Sequence, residues 1–209
     1  MGRSPELECC QLQAAPLQVA PLREASAWVL RWLQPARGNG LLLDFAGGRG
    51  PWVTAARALR YQVTVADRDP QALAEAAERG AQIVRCDLER APWPFTEQRF
   101  EVIVMTRYLY RERLPLLLEL LDAGGCFIAE TFARGQEAWG RPRNPAFLLE
   151  PDELFNLCRC AGLRVIAFEQ GAVAGPRMIQ RICAVRPPYD VLAWPLDGSC
   201  GAAPAAATP

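Results

Sequence analysis

The sequence predicts an α/β fold with a Rossmann-like, doubly wound sheet of seven strands, mostly parallel, in which the last strand is antiparallel. Three observations predict it. From Leu41 onward, short apolar segments alternate with amphipathic ones, a pattern typical of βαβ units. Residues 41–50 read LLLDFAGGRG, an apolar run typical of a buried parallel strand that opens into a glycine-rich turn. Only a short turn separates the last two apolar segments, so they must pair antiparallel.

Each element follows from periodicity or from a residue that begins or ends it. Apolar residues at helical spacing predict the helices, and short apolar runs predict the strands. Pro51 and Pro151 are typical of first helical turns, Gly162 is typical of a residue that follows a helix, and the DAGG segment at 122–125 predicts a turn. In chain order we expect a helix over 22–34, a strand over 41–45, a helix over 51–60, a strand over 62–66, a helix over 70–79, strands over 82–86 and 100–105, a helix over 111–121, a strand over 126–130, a helix over 151–161, and strands over 163–168 and 178–185.

The length and composition predict one domain. A chain of 209 residues with 51% hydrophobic and 22% charged residues is long enough for a single domain with a full core. We expect this domain to cover residues 21–186, after a loose N-terminal arm over 1–20. Residues 187–209 are rich in Pro, Ala and Gly and predict a disordered or extended tail.

The charged residues exclude several classes of function. Lys plus Arg and Asp plus Glu number 23 each, so no overall charge favours nucleic acid or an anionic membrane as a partner. The sequence has no Lys and no His, which excludes a Ser-His-Asp triad, a histidine metal ligand, a Schiff-base lysine and a P-loop lysine. Richness in Ala, Arg, Gly and Pro without Lys is typical of a GC-rich, bacterial genome.

The eight cysteines predict neither a zinc site nor disulfides. They include no CxxC pair, so the spacing of a zinc site is missing and we expect no metal. Cys86, Cys126 and Cys183 fall in apolar runs, where a free thiol acts as a small core residue. No N-terminal apolar segment is long enough for a signal peptide or a membrane span, which predicts a reducing, cytoplasmic location.

The turn after the first predicted strand is typical of a ligand loop. Its glycines let the backbone come close to a ligand, and Pro51 opens a helix whose N-terminus presents N–H groups. Asp67 ends the second predicted strand roughly 20 residues after Asp44, the spacing at which a carboxylate binds ribose hydroxyls. The alternative is a helix cap before Pro70, a role for which Asp69 is well placed.

Two classes of cofactor compete for this loop. Asp87 follows the third predicted strand, where it can accept from an exocyclic amine while Leu88 packs against a base. A nicotinamide or flavin site has the pattern Gly-x-Gly-x-x-Gly, whereas this chain has Ala46, Gly48 and Pro51 at the glycine positions. A dinucleotide site, and with it an NAD-dependent oxidoreductase, is therefore the weaker interpretation.

The segment Asp44-Phe45-Ala46-Gly47-Gly48-Arg49-Gly50 resembles the first motif of the class I S-adenosylmethionine-dependent methyltransferases, acidic-x-Gly-x-Gly-x-Gly, with Ala at the first glycine. The acidic ends of the second and third strands, the glycine turn before the fifth strand and the antiparallel last strand resemble that family too. The segments ETFARG (130–135), GRPRNP (140–145) and FLL (147–149) are similar to a bacterial group, the tellurite-resistance methyltransferases.

The resemblance implies S-adenosylmethionine as the cofactor and a small molecule as the methyl acceptor. Asp44 would orient the loop and the amino group of the methionyl part, Asp67 would hold the ribose, and Asp87 with Leu88 the adenine. Tyr108 would line the sulfonium side of the cleft, although a core position is an equal alternative for this aromatic residue. The residues implied in cofactor binding are Asp44, Ala46, Gly47, Gly48, Gly50, Asp67, Arg68, Asp87, Leu88, Thr106 and Tyr108.

Candidate catalytic residues follow from the chemistry of methyl transfer. The reaction is an in-line displacement, so alignment supplies much of the acceleration, and a soft nucleophile such as a thiolate or a reduced selenium or tellurium species needs no base. For an oxygen or nitrogen nucleophile, Tyr110 and Glu130 are the candidates. Arg141 and Arg143, in the irregular segment after the fifth strand, are candidate substrate-binding residues, with surface ion pairs as the alternative.

Departures from the family pattern keep a second class of function open. Ala46, Pro51, Trp52 and Tyr110 all stand where the family pattern or the bacterial group has another residue. A non-catalytic binding or scaffold protein with the same fold therefore remains the alternative to an enzyme. The sequence leaves the oligomeric state open.

Overall fold

A computed structural model describes residues 26–190 and residue 194, and it confirms the predicted fold class. A seven-stranded sheet has the order β3-β2-β1-β4-β5-β7-β6, in which β7 is antiparallel to both of its neighbours and the other pairs are parallel. The strands are β1 (Leu41–Phe45), β2 (Gln62–Asp67), β3 (Gln82–Arg85), β4 (Phe100–Thr106), β5 (Leu121–Phe132), β6 (Arg164–Val173) and β7 (Arg177–Val185). The helices are α1 (Ala27–Trp32), α2 (Val53–Ala58), α3 (Pro70–Glu78), α4 (Leu114–Glu119) and α5 (Glu153–Cys160), with short 3-10 turns at Arg111–Arg113, Gln136–Ala138 and Pro145–Phe147.

Helices cover both faces of the sheet, because the buried strands alternate their side chains between two cores. Along β1, Leu42 packs with residues of α1, α2 and α3, whereas Leu43 and Phe45 pack with residues of α4 and α5. Trp28 of α1 is buried, and its indole N–H donates to the Ile182 carbonyl at 3.1 Å, which fixes α1 on the sheet. The order of the strands reverses between β1 and β4, and in such sheets ligands bind outside the carboxyl ends at that point.

The largest difference from the predicted elements concerns β5. The predicted turn at 122–125 lies inside a strand that starts at Leu121, and the pairing of β4 with β5 shifts register there. Gly124 has φ 75°, and a Cβ on Gly125 would lie 2.9 Å from the Asp122 carbonyl. The glycines therefore allow an irregularity within the strand. A sequence pattern does not distinguish such an irregularity from a turn before the strand.

The two ends of the predicted domain lie partly outside the described residues. The predicted N-terminal arm and most of the predicted tail fall there, as do Cys9, Cys10 and Cys200. Within the tail, Tyr189 and Trp194 pack against the core on the α1 side of the sheet, and the Tyr189 hydroxyl accepts from Arg164 Nε at 2.7 Å. Across residues 26–190 and 194, no helix is both long and apolar enough to cross a membrane.

The cysteines occupy different environments. Cys126 and Cys183 are buried free thiols, as predicted, whereas Cys86 is only half-buried. Cys86 packs against the core but is only partly buried, because β3 ends at Arg85 and Cys86 also lines the cavity. On α5, Cys158 is buried and Cys160 is exposed, because residues two apart on a helix face different ways.

Candidate functional site

A cavity of about 460 Å³ lies at the carboxyl ends of the parallel strands, where the strand order reverses. Its walls come from the ends of β1 to β5 and from the loop that follows β5. The lining residues are Ala46, Asp67, Arg68, Cys86, Asp87, Leu88, Glu89, Arg107, Tyr108, Leu109, Thr131, Phe132, Pro142 and Phe147. Six of the eleven residues predicted to bind a cofactor line it, namely Ala46, Asp67, Arg68, Asp87, Leu88 and Tyr108.

The glycine loop turns sharply between β1 and α2. Ala46, Gly48 and Gly50 all have left-handed backbones, with φ of 55°, 54° and 61°. The Gly47 N–H donates to the Ala66 carbonyl at 3.2 Å, and the Gly50 N–H donates to the Gly47 carbonyl at 3.0 Å. A Cβ on Gly50 would lie 2.6 Å from a methyl group of Val53, so glycine is required where the loop enters α2.

The left-handed Ala46 predicts a stabilising substitution. An L-residue other than glycine loses about 1 kcal/mol or more in this conformation, so Ala46→Gly should raise the free energy of unfolding by about 1 kcal/mol. Urea unfolding of both proteins measures the difference. As a control, Ala55→Gly within α2 should lower the stability by a similar amount, because glycine weakens a helix. A lower stability of Ala46→Gly would show that Ala46 carries no strain.

Asp44 is the most unusual residue of the loop. Its side chain is fully buried, and neither carboxyl oxygen makes a hydrogen bond with a residue that the structure describes. Gly47 lies against it, since a Cβ there would come within 2.3 Å of the carboxyl carbon. Burial, and next the charge of Asp67, raises the pKa of Asp44 to about 8. The loop therefore holds a carboxyl group that has no countercharge of its own.

Asp67 and Asp69 divide the two roles that the sequence left open. The Asp67 carboxylate accepts from the Gly48 N–H and from the Asp69 N–H, both at 2.9 Å, and it lines the cavity. Asp69 caps α3 by accepting from the N–H groups of Gln71 and Ala72. A carboxylate with two oxygens keeps further acceptor capacity, so Asp67 can accept additional hydrogen bonds from a ligand.

The residues directly after β3 form another wall of the cavity. Asp87 accepts from the N–H groups of Glu89 and Arg90 at 3.0 and 3.2 Å, and the first of these bonds is the main reason that its pKa is lowered. Leu88 is buried beside it. Tyr108 packs edge-on against Phe45 with ring centroids 5.6 Å apart, and its hydroxyl makes no hydrogen bond with the described residues. Burial, with the charges of Glu89 and Asp87, raises the pKa of Tyr108.

Arg107 forms the wall at the end of β4. It has a left-handed backbone with φ 55°, and its N–H donates to the Glu130 carbonyl at 2.9 Å. Burial and the charge of nearby Arg177 lower the pKa of Arg107, while the charge of Glu130 opposes that change. Thr131 and Phe132, at the end of β5, continue the same wall.

The two predicted catalytic residues do not line the cavity. The Tyr110 hydroxyl donates to Glu112 at 2.9 Å, and this hydrogen bond is the main reason that the pKa of Tyr110 is raised. The Glu130 side chain is almost fully buried and pairs with Arg181 at 3.6 Å. Because β5 alternates, Glu130 shares the face of Ile128, which packs on the α1 side of the sheet. Both catalytic assignments stay predictions.

The other predicted site residues do not line the cavity. Asp44, Gly47, Gly48, Gly50 and Thr106 lie within four residues of Ala46 or Arg107 in the sequence, and their role in cofactor binding stays a prediction. The predicted substrate-binding residues Arg141 and Arg143 are exposed on the loop after β5, on either side of Pro142, which does line it. Their role in substrate binding stays a prediction.

Arg111 fastens the loop after β5, a role that the sequence analysis missed. Its guanidinium donates to the carbonyls of Ala146 and Leu148 at 2.9 and 2.7 Å, and to both carboxylate oxygens of Glu153 at 2.6 and 2.8 Å. Phe147 stands between those two carbonyls and reaches the cavity. An arginine before a helix gives no signal of this kind, because its partners are more than 30 residues away in the sequence.

Other residues that line the cavity were also not predicted from the sequence. Cys86, Glu89, Leu109, Thr131 and Phe132 follow β3, β4 or β5 closely. A rule that counts the residues directly after each parallel strand would have found them, since the carboxyl ends of the strands meet at the site. Pro142 and Phe147 lie on the irregular loop, where no such rule applies.

Solved structures show what this architecture resembles. The magnesium protoporphyrin IX methyltransferase ChlM from Synechocystis PCC 6803, with S-adenosylhomocysteine bound, is 13% identical over 70% of this chain and 74% of its own, with a TM-score of 0.53. TehB from Haemophilus influenzae is 19% identical over 70% of this chain and 57% of its own, with a TM-score of 0.56. The fold is that of the class I S-adenosylmethionine-dependent methyltransferases. The resemblance predicted from the sequence is confirmed at the level of the fold, and TehB is among the structures that share this fold.

The same fold also supports a different reaction. The [4+2]-cyclase SpnF is 17% identical over 74% of this chain and 77% of its own, with a TM-score of 0.59. No protein-family model and no curated protein matches the chain. At these identities the methyltransferase fold is established, and the activity has to be argued from the residues of the site.

Proposed function

We propose that this protein is an S-adenosylmethionine-dependent methyltransferase that acts on a small-molecule acceptor. The buried Asp44 carboxyl group carries the proposal. A carboxyl group without hydrogen bonds, held against Gly47 in a loop at the carboxyl ends of the strands, is costly unless a ligand compensates it. S-adenosylmethionine carries positive charge on its sulfonium and amino groups, and a cation bound close to the loop would compensate this carboxyl group by favouring its ionised form.

The other residues of the cavity fit the rest of that cofactor. Asp67 retains acceptor capacity for a ribose diol, because its two oxygens receive one backbone N–H each. Asp87 is fixed by two N–H groups beside the buried Leu88, which suits an adenine amine and an adenine face. The Tyr108 hydroxyl still needs a partner. The cofactor would supply an activated methyl group attached to a cationic sulfur.

The chain would contribute alignment and electrostatics more than acid–base chemistry. The sequence has no His or Lys, and Tyr110 and Glu130 are engaged with Glu112 and Arg181. An acceptor that is already deprotonated, such as a thiolate, needs only to be held in line about 3 to 3.5 Å from the methyl group. An acceptor of this kind fits the cavity without a dedicated base.

The sharpest test of the proposed cofactor site is Asp67→Asn. The amide oxygen can still accept from the Gly48 N–H, while the negative charge is lost and the amide NH2 group replaces the oxygen that accepts from the Asp69 N–H. We expect affinity for S-adenosylmethionine to fall about 10- to 100-fold in calorimetric titrations, the loss typical of hydrogen bonds to a charged group. NAD should not bind to either protein.

Asp69→Asn is the matched control for that experiment. It makes the same change two residues away, at a helix cap that asparagine fills as well as aspartate. Its affinity for S-adenosylmethionine should equal that of the unchanged protein. If neither S-adenosylmethionine nor S-adenosylhomocysteine binds to the unchanged protein, the proposed function is wrong. If they bind and no thiol, selenite, tellurite or carboxylate is methylated, a cyclase-like or scaffold role is favoured over methyl transfer.

A further inference from the structure

The cavity has two unlike halves. The acidic residues Asp67, Asp87 and Glu89, with Arg68 beside Asp67, follow β2 and β3, whereas Arg107 follows β4 and the apolar Pro142 and Phe147 come from the loop after β5. Strands β2 and β4 are two positions apart in the sheet, which corresponds to about 10 Å. The cofactor of the proposed function would use the acidic half, which leaves the half with Arg107 for the acceptor.

Phe147 is held at the cavity although it is not buried. Its side chain is 48% exposed, and it nevertheless lines the cavity. The carbonyls on either side of it accept from Arg111, and Arg111 is itself held by both oxygens of Glu153. An exposed aromatic residue on a turn with this many hydrogen bonds offers a fixed apolar face to a ligand.

Arg107 is held in place through its backbone. A left-handed arginine is an uncommon conformation, and such residues cluster at ligand-binding sites. The hydrogen bond from its N–H to the Glu130 carbonyl fixes the conformation at the end of β4. Arg107 therefore has a fixed backbone and lines the cavity together with Thr131 and Phe132.

We propose that the acceptor is an organic anion with a flat apolar body, bound through its acidic group by Arg107 and through its body by Phe147. A guanidinium is the side chain best suited to a carboxylate, because its N–H groups match the two oxygens. An aromatic ring recognises a flat apolar group by stacking. This proposal rests on the proposed function, since it assigns the half of the cavity that the cofactor does not use.

The test uses three probes and calorimetry on the full chain saturated with S-adenosylhomocysteine, repeated without it. Benzoate has both recognised features, benzamide lacks the charge, and acetate lacks the ring. Benzoate should bind about tenfold or more tightly than either of the others. No measurable binding of benzoate, or equal affinity for benzoate and benzamide, would overturn the proposal.

Matched variants assign the two features to their residues. Arg107→Asn should reduce benzoate affinity about tenfold, to the level of benzamide, and asparagine tolerates the left-handed backbone. Arg60→Asn is the control, because Arg60 is also left-handed at φ 71° and lies away from the cavity. An equal loss in Arg60→Asn would contradict the assignment.

For the ring, Phe147→Ala should weaken benzoate and benzamide alike, about tenfold, and leave acetate unchanged. Phe155→Ala is the control, since Phe155 is 37% exposed on α5 and packs against Phe168. Failure of S-adenosylhomocysteine to bind would count against the proposed cofactor alone. The titrations without it would then decide whether Arg107 and Phe147 bind the probes.

Discussion

The free energy of unfolding should fall by several kcal/mol between about pH 4 and pH 8, and Asp44→Asn should remove most of that fall. The pKa of Asp44 is about 8 in the folded protein and close to 3.8 in the unfolded chain. Between those values the folded protein binds a proton that the unfolded chain has released, so the folded state loses stability as the pH rises. A difference of one in pKa corresponds to about 1.4 kcal/mol, which gives a total on the order of 5 kcal/mol.

Urea unfolding at pH 5, 6.5 and 8 measures this effect. The quantity that matters is the difference between the unchanged protein and Asp44→Asn at each pH, because the contributions of the other titrating groups cancel. The buried amide has its own unsatisfied groups, but their cost does not depend on pH. The difference should therefore change in favour of Asp44→Asn as the pH rises. Parallel stability curves for the two proteins would mean that Asp44 is ionised in the fold, with a countercharge.

The fold could be predicted because the hydrophobic patterns of the single elements agreed with the lengths of the connections between them. The apolar run Leu41–Phe45, the alternation after it and the short turn before β7 each allow one arrangement, and the strand order follows from right-handed crossovers. The ends of the elements were less predictable. The DAGG segment can end a loop or interrupt a strand, and the choice depends on the pairing of β5 with β4, which lies outside the segment.

The candidate site also has a part that could be predicted from the sequence and a part that could not. Asp67 and Asp87 could be found because a parallel sheet brings the residues after its strands to one edge. The position of the loop after β5 depends on distant hydrogen bonds, from Arg111 to Ala146 and from the Met178 N–H to Gln136. The sequence therefore indicated that this loop matters, while the residue that reaches the cavity, Phe147, follows only from the structure.

The contact between Asp44 and Gly47 also explains a glycine at a position that the family motif leaves open, between its first and second glycine positions. We expect Gly47→Ala to destabilise the protein by about 1 to 3 kcal/mol, the usual cost of overpacking. The new Cβ would lie 2.3 to 2.7 Å from the three carboxyl atoms of Asp44, whose side chain is short and fully buried. Backbone strain adds nothing, because Gly47 does not have a positive φ.

A double-mutant cycle isolates this contact. Asp44→Ala removes the carboxyl group, so Gly47→Ala should cost little in that background, and the coupling between the two positions should equal most of its cost in the unchanged protein. Gly48→Ala is the control, since its Cβ would lie 3.9 Å from Asp67 and its cost, from φ 54°, should be the same in both backgrounds. Equal costs of Gly47→Ala in both backgrounds would show that the loop needs this glycine for a reason other than Asp44. A strong coupling would tie Gly47 to the buried Asp44 carboxyl group that carries the proposed function.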